Sequence, residues 1–97
     1  MDIQYKNDTE GVDWERMSEL FERVGWGKRK AEDIQAAFRS SSYVRCAYDE
    51  RTLVGVGRTV DDGQYYALIV DLVVDPQYQG RGIGSNILSY LEHSLAN

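Results

Sequence analysis

The sequence predicts an α+β fold in the order β-α-α-β-β-β-α, an antiparallel sheet with flanking helices. Three observations carry this. The apolar period switches from alternation to helical spacing and back along the chain. The three strand-like segments in the second half are joined by links too short for crossovers, so neighbours run antiparallel. A glycine-rich stretch, "QGRGIGS", separates the last strand from the last helix.

Residues 2–6 alternate Ile3 and Tyr5 on one side and read as a short strand, which "NDTEG" breaks. Asp13 is a helix N-cap, because Trp14, Met17, Phe21 and Val24 then recur at helical spacing. Gly25 is a C-terminal stop and "GWGK" a turn. A second helix covers 29–39, with Ala31, Ile34 and Phe38 on one stripe, and Ser40 to Ser42 end it. Strands follow at 43–49, 52–61 and 64–75. The last is the most continuous apolar run and is expected to be central. "ER" at 50–51 and "DG" at 62–63 are expected to be tight hairpin turns, Asp-Gly allowing the positive φ such turns need. The final helix, 82–95, carries Ile83, Ile87, Leu88, Leu91 and Leu95 on its apolar face.

At 97 residues there is room for one domain, 1–97, with 42% apolar and 28% charged residues, as in folded domains. No apolar run is long enough to cross a bilayer, and "MDIQYKNDTE" has no basic and apolar leader pattern, so a cytoplasmic protein with no membrane partner is expected. The formal net charge of −5 argues against a general nucleic-acid binder, and the short basic cluster "GKRK" at 27–30 does not overturn it. Cys46 and His93, one of each, leave no cysteine or histidine metal cluster, and no metal is expected. Cys46, in the strand-like "YVRCAY", reads as a small apolar core residue, and His93 as a group at the negative end of the last helix.

The stretch "DLVVDPQYQGRGIGSNIL", residues 71–88, carries the chemistry. The first N–H groups of a helix have no partner within it, and an anion fits there. Gly80, Gly82 and Gly84 let a phosphate approach the backbone and permit the dihedrals that aim successive N–H groups at one point. Arg81 adds positive charge beside that pocket and Ser85 a hydroxyl in the first turn. A nucleotide P-loop is excluded because no Lys-Ser/Thr follows the glycines. The dinucleotide fingerprint also fails: Ser85 and Ile87 stand where a further glycine belongs, and the stretch follows an antiparallel meander.

Gln79, Gly82 and Gly84 match the pattern Gln/Arg-x-x-Gly-x-Gly/Ala, and with the preceding "LVVDPQY" they resemble the coenzyme A-binding motif of the GCN5-related N-acetyltransferase (GNAT) family. The element order resembles the N-terminal two-thirds of that family's acyl-CoA N-acyltransferase fold. The resemblance implies acetyl-CoA as cosubstrate, with Gln79, Gly80, Arg81, Gly82, Ile83, Gly84 and Ser85 around the pyrophosphate. It implies main-chain contacts from Leu72, Val73 and Val74 to the pantetheine arm and acetyl carbonyl, one N–H polarising the thioester. The acceptor amine then attacks directly. Asp71, which interrupts an apolar strand, is either the base that takes the amine's proton or the partner of an arginine such as Arg58. Asp75 caps the turn at Pro76. Trp26, in the segment that borders the acceptor site in this family, reads as core packing or as a wall of that site.

The family's domain continues with a further strand, a helix and two more strands, and its leaving-thiolate tyrosine, which this sequence does not match. The expectation is therefore a partial N-acetyltransferase domain. Strand 64–75 then keeps one edge unpaired, which favours a homodimer through that edge. The other reading open at this point is a non-catalytic acyl-CoA-binding or assembly module.

Overall fold

The computed structural model describes residues 2–96. The chain forms β1 (Ile3–Lys6), α1 (Trp14–Arg23), α2 (Ala31–Arg39), β2 (Val44–Asp49), β3 (Thr52–Asp61), β4 (Ala67–Val74), a single 3-10 turn (Pro76–Tyr78) and α3 (Ile83–Ala96). The four strands form one antiparallel sheet in the order β1-β2-β3-β4.

The N-cap at Asp13 is present: its carboxylate accepts from the Arg16 N–H at 3.1 Å. From there α1 turns Met17, Leu20 and Phe21 inward, and α2 adds Ile34 and Phe38. These cover one face of the sheet with Val44, Cys46, Leu53, Val56 and Val73. On the opposite face α3 lays Ile83, Ile87 and Leu91 against Ala47 and Val54. The sheet is thus a middle layer, and the two helical layers never share a core.

Two bulges make the strand patterns compatible with this sandwich. Opposite Ala47 and Tyr48, β3 pairs Gly55 and then Leu53, which leaves Val54 as an extra residue. Opposite Val56 and Arg58, β4 pairs Val73 and then Val70, so Asp71 and Leu72 together face Gly57. Asp71 has φ +54°, a left-handed conformation. A bulge exchanges the faces beyond it. Val73 therefore packs toward α1 and α2, while Leu72 and, past the bulge, Ile69 pack toward α3.

Two expectations are corrected. The 62–63 hairpin is not a two-residue turn. Residues 62–66 form the connection, because the Asp62 carboxylate accepts from the N–H groups of Gln64, Tyr65 and Tyr66 and wraps the chain around itself. Tyr65 and Tyr66 consequently lie in solvent rather than in the strand. Strand β4 is not central but stands at the edge among the described residues, with Leu68 exposed. Its apolar residues pack against helices on both faces, Val73 buried on one and Ile69, Leu72 and Val74 half-buried on the other.

Candidate functional site

The site is built where β4 ends. The Asp75 N–H donates to the Val54 carbonyl at 2.8 Å and keeps the strand in register to its last residue. The Asp75 carboxylate accepts from the Gln77 N–H at 2.9 Å, as the expected cap of the turn at Pro76. It is also clamped by Arg16 at 2.7 Å and Arg23 at 3.1 Å, both from α1. Burial pushes its pKa up, but the Gln77 N–H and the two guanidiniums outweigh burial and hold it below the ordinary carboxylate value. Tyr78 donates its hydroxyl to Asp49 at 2.6 Å, and this bond to a carboxylate raises the phenol's pKa. Both ends of the turn are therefore fixed to the sheet.

The glycine loop stands on that base. Gly80 and Gly82 have φ +80° and +84°, conformations other residues rarely adopt. A Cβ at either position would meet no atom within 4 Å, so the space above the loop is open. The Asn86 N–H donates to the Gly82 carbonyl at 3.0 Å, the first bond of α3. The N–H groups of Ile83, Gly84 and Ser85 thus precede the intrahelical ladder and face the loop end. The Ile83 side chain is buried beneath α3, so only its backbone belongs to the site. Gln79 donates from Nε2 to the Val74 carbonyl at 3.0 Å, and Arg81 lies over the Tyr78 ring at 5.6 Å.

Alternation along an antiparallel ladder decides which main-chain groups of β4 remain available. With Asp75 bonded to Val54, the next bonded pair is Val73 with Val56. The groups of Val74 turn to the open edge, where Gln79 takes its carbonyl. Leu72 lies in the bulge. Of Leu72, Val73 and Val74, Val74 therefore faces the open edge and Val73 is spent on β3, while at Leu72 the bulge interrupts the alternation.

Asp71 projects toward the α1–α2 side. One oxygen accepts from Arg58 Nε at 2.7 Å and the other from Arg29 at 3.0 Å. The pairing with Arg58 was one of two readings of the sequence. The second arginine was missed, although it sits in the "GKRK" cluster. A basic run opposite a lone strand carboxylate was the available signal. Beside Asp71 a cleft of about 460 Å3 opens between Lys28, Arg29, Lys30, Asp33, Ile34 and Phe38. Trp26 is 48% exposed, stacked obliquely on Phe21 with ring centroids 5.7 Å apart, so it is not core packing. Arg29 bridges these rings, 4.3 Å from Phe21 and 5.7 Å from Trp26. Among the described residues no group of three or more His, Cys, Asp and Glu could hold a metal, and no helix is long and apolar enough to cross a membrane.

Open glycine backbone, a helix start and a strand edge thus follow one another along the chain. Comparison with known proteins places the chain in a family. The family model described as "Acetyltransferase (GNAT) family" matches residues 11–97. The histone acetyltransferase TAP1 of Glycine max is 30% identical over 95 residues, covering 87% of this chain and 41% of that protein. A GNAT family acetyltransferase of Streptococcus pneumoniae superposes with TM-score 0.74 and 34% identity, over 92% of this chain and 64% of its own. A protein of meticillin-resistant Staphylococcus aureus, described as a probable acetyltransferase, reaches TM-score 0.90 at 25% identity, over 99% of this chain and 71% of its own. The chain spans about half the length of the curated relatives it matches.

Proposed function

The chain belongs to the acetyltransferase (GNAT) family, whose cosubstrate is acetyl-CoA, and from that premise we propose that it binds acetyl-CoA at residues 79–85 and transfers the acetyl group to an amine. The observation that carries the reading is the pair of positive-φ glycines, open above, leading directly into the free N–H groups at the start of α3. The pyrophosphate lies against Gly80, Gly82 and Gly84 and the N–H groups of Ile83, Gly84 and Ser85, with Gln79 and Arg81 at the rim. The pantetheine arm runs along the open edge of β4 past Val74 and Leu72.

In the reaction the amine nitrogen attacks the thioester carbonyl carbon. The N–C bond forms, the C–S bond breaks, the amine gives up a proton, and coenzyme A leaves as the thiol after gaining one. A main-chain N–H at the β4 edge stabilises the oxyanion. Asp71 is the proposed proton acceptor. Both of its oxygens are engaged by arginines, so a proton arriving there displaces one of those bonds. A cytoplasmic location belongs to the same proposal.

Titration calorimetry with CoA, followed by thiol-release assays with a panel of amines, tests this. Gly82→Val should remove CoA binding in a chain that remains folded by circular dichroism, because valine rarely adopts φ +84°. Undiminished affinity in that variant would exclude the loop as the site. Asp71→Asn should lower acetyl transfer by about 100-fold or more and leave CoA binding in place. Unaltered transfer assigns Asp71 to structure alone. CoA binding with no thiol release for any amine would instead favour the reading as an acyl-CoA-binding module.

A further inference from the structure

The cleft beside Asp71 carries information about the acceptor beyond its amine. Lys28, Arg29 and Lys30 stand in succession along it. Arg58 closes on Asp71 from β3. Against these four cations stand two carboxylates, Asp33 and Asp71, and Asp71 is already taken up by Arg29 and Arg58. Lys28 and Lys30 are solvent-exposed and head no ion pair within 4.0 Å with a described carboxylate. The cleft is therefore net positive in a chain whose formal net charge is −5. Such a concentration against the overall charge selects what enters.

Those lysines do not serve the pyrophosphate. The glycine loop leads into α3, which packs on one face of the sheet, whereas the cleft opens on the face covered by α1 and α2. Resting on the acetyl-transfer reading, we propose that the acceptor is an amine that also bears an anionic group, a carboxylate or a phosphate. Lys28 and Lys30 hold that group at the rim while the amine enters toward Asp71. Ala37, with the buried Ile34 and Phe38 beneath, gives the cleft an apolar floor for a short stem between the two. A polycationic acceptor meets like charge at the same rim and is turned away.

The test is calorimetric titration of the chain saturated with CoA, which avoids turnover, using matched amine pairs. Phosphoethanolamine is compared with ethanolamine, glycine with glycinamide, and both with spermidine and a lysine-rich peptide. The anionic member of at least one pair should bind about tenfold more tightly, as two screened ion pairs supply. The preference should shrink as salt is raised. The phosphate and carboxylate pairs separate the two sources of negative charge. In Lys28→Gln/Lys30→Gln, with circular dichroism reporting the fold, the preference should disappear. Equal binding within both pairs, tighter binding of spermidine or the peptide, absence of binding by any amine, or a preference that survives in the double variant would each overturn the inference. Failure of CoA itself to bind identifies the acetyl-transfer reading, not the acceptor, as the error, and the inference falls with it.

Discussion

Asp75 joins three elements through one side chain: it ends β4, starts the 3-10 turn, and receives two arginines of α1. Asp75 is 2% exposed but its arginines reach solvent, so removing its charge leaves two partly solvated guanidiniums facing a neutral amide. Asp75→Asn should cost about 1–3 kcal/mol, read from urea unfolding. The folded-state pKa lies below the ordinary 3.8. The stabilisation is therefore complete above that value and is lost as pH falls through the lower folded one. The variant should show a shallower acid transition than the parent; identical acid transitions would remove Asp75 from this role. Cys46 behaves in the opposite sense. Burial, helped by the nearby charge of Asp8 and opposed by Lys6, raises its thiol from 9.0 to about 12. At pH 8 the folded chain then holds roughly three orders of magnitude less thiolate than the unfolded one. Alkylation by iodoacetamide should be very slow in buffer and fast in denaturant; rapid native labelling would contradict the buried placement.

At the scale of elements, β3 and α3 approach each other tightly at Gly57. A Cβ on Gly57 would stand 2.7 Å from Ile87 Cγ2, 3.0 Å from Leu91 Cδ1 and 3.3 Å from Leu72 Cδ1. Gly57 is also the residue that faces the β4 bulge. One missing side chain thus lets α3 settle on the sheet beside Leu72. Gly57→Ala should destabilise by about 1–3 kcal/mol, since both leucines and the isoleucine are packed on rigid elements. Because α3 also carries the N–H groups of the proposed phosphate site, the same variant should weaken CoA binding. Thermal unfolding and CoA titration of Gly57→Ala check both effects; a neutral result in each would mean that α3 shifts without consequence.

For the whole molecule, the sheet has an open side. Strand β4 pairs with β3 on one edge and with no strand on the other among the described residues. Leu68, 63% exposed, stands near that edge, preceded by the exposed Tyr65 and Tyr66. Unpaired strand edges with apolar residues template pairing with another chain. Sedimentation velocity across a concentration series should show reversible association, and Leu68→Lys should shift it to monomer. A monomer at every concentration would show that the edge is not used by a second copy.

The order of elements was readable in the sequence because periodicity, caps and glycines are local properties. Asp13 caps its own helix, and the glycines at 80 and 82 demand their dihedrals from neighbours a few residues away. The backbone course of residues 79–85, two left-handed glycines and then a helix start, was readable for the same reason. The hairpin at 62–66 was not, since a side chain, Asp62, outcompeted the tight turn its own Asp-Gly pair favours. The apolar run of β4 by itself pointed to a central strand, because such a run is silent about neighbouring strands; the unpaired edge was legible only through the family resemblance. Only the tertiary structure decided the surroundings of Asp71. A bulge opposite Gly57 places its carboxylate between Arg58, 13 positions away in the chain, and Arg29, 42 positions away. Local pattern specifies which segments form, but pairwise electrostatics between distant segments exist only once packing has brought their charges within ångströms of each other.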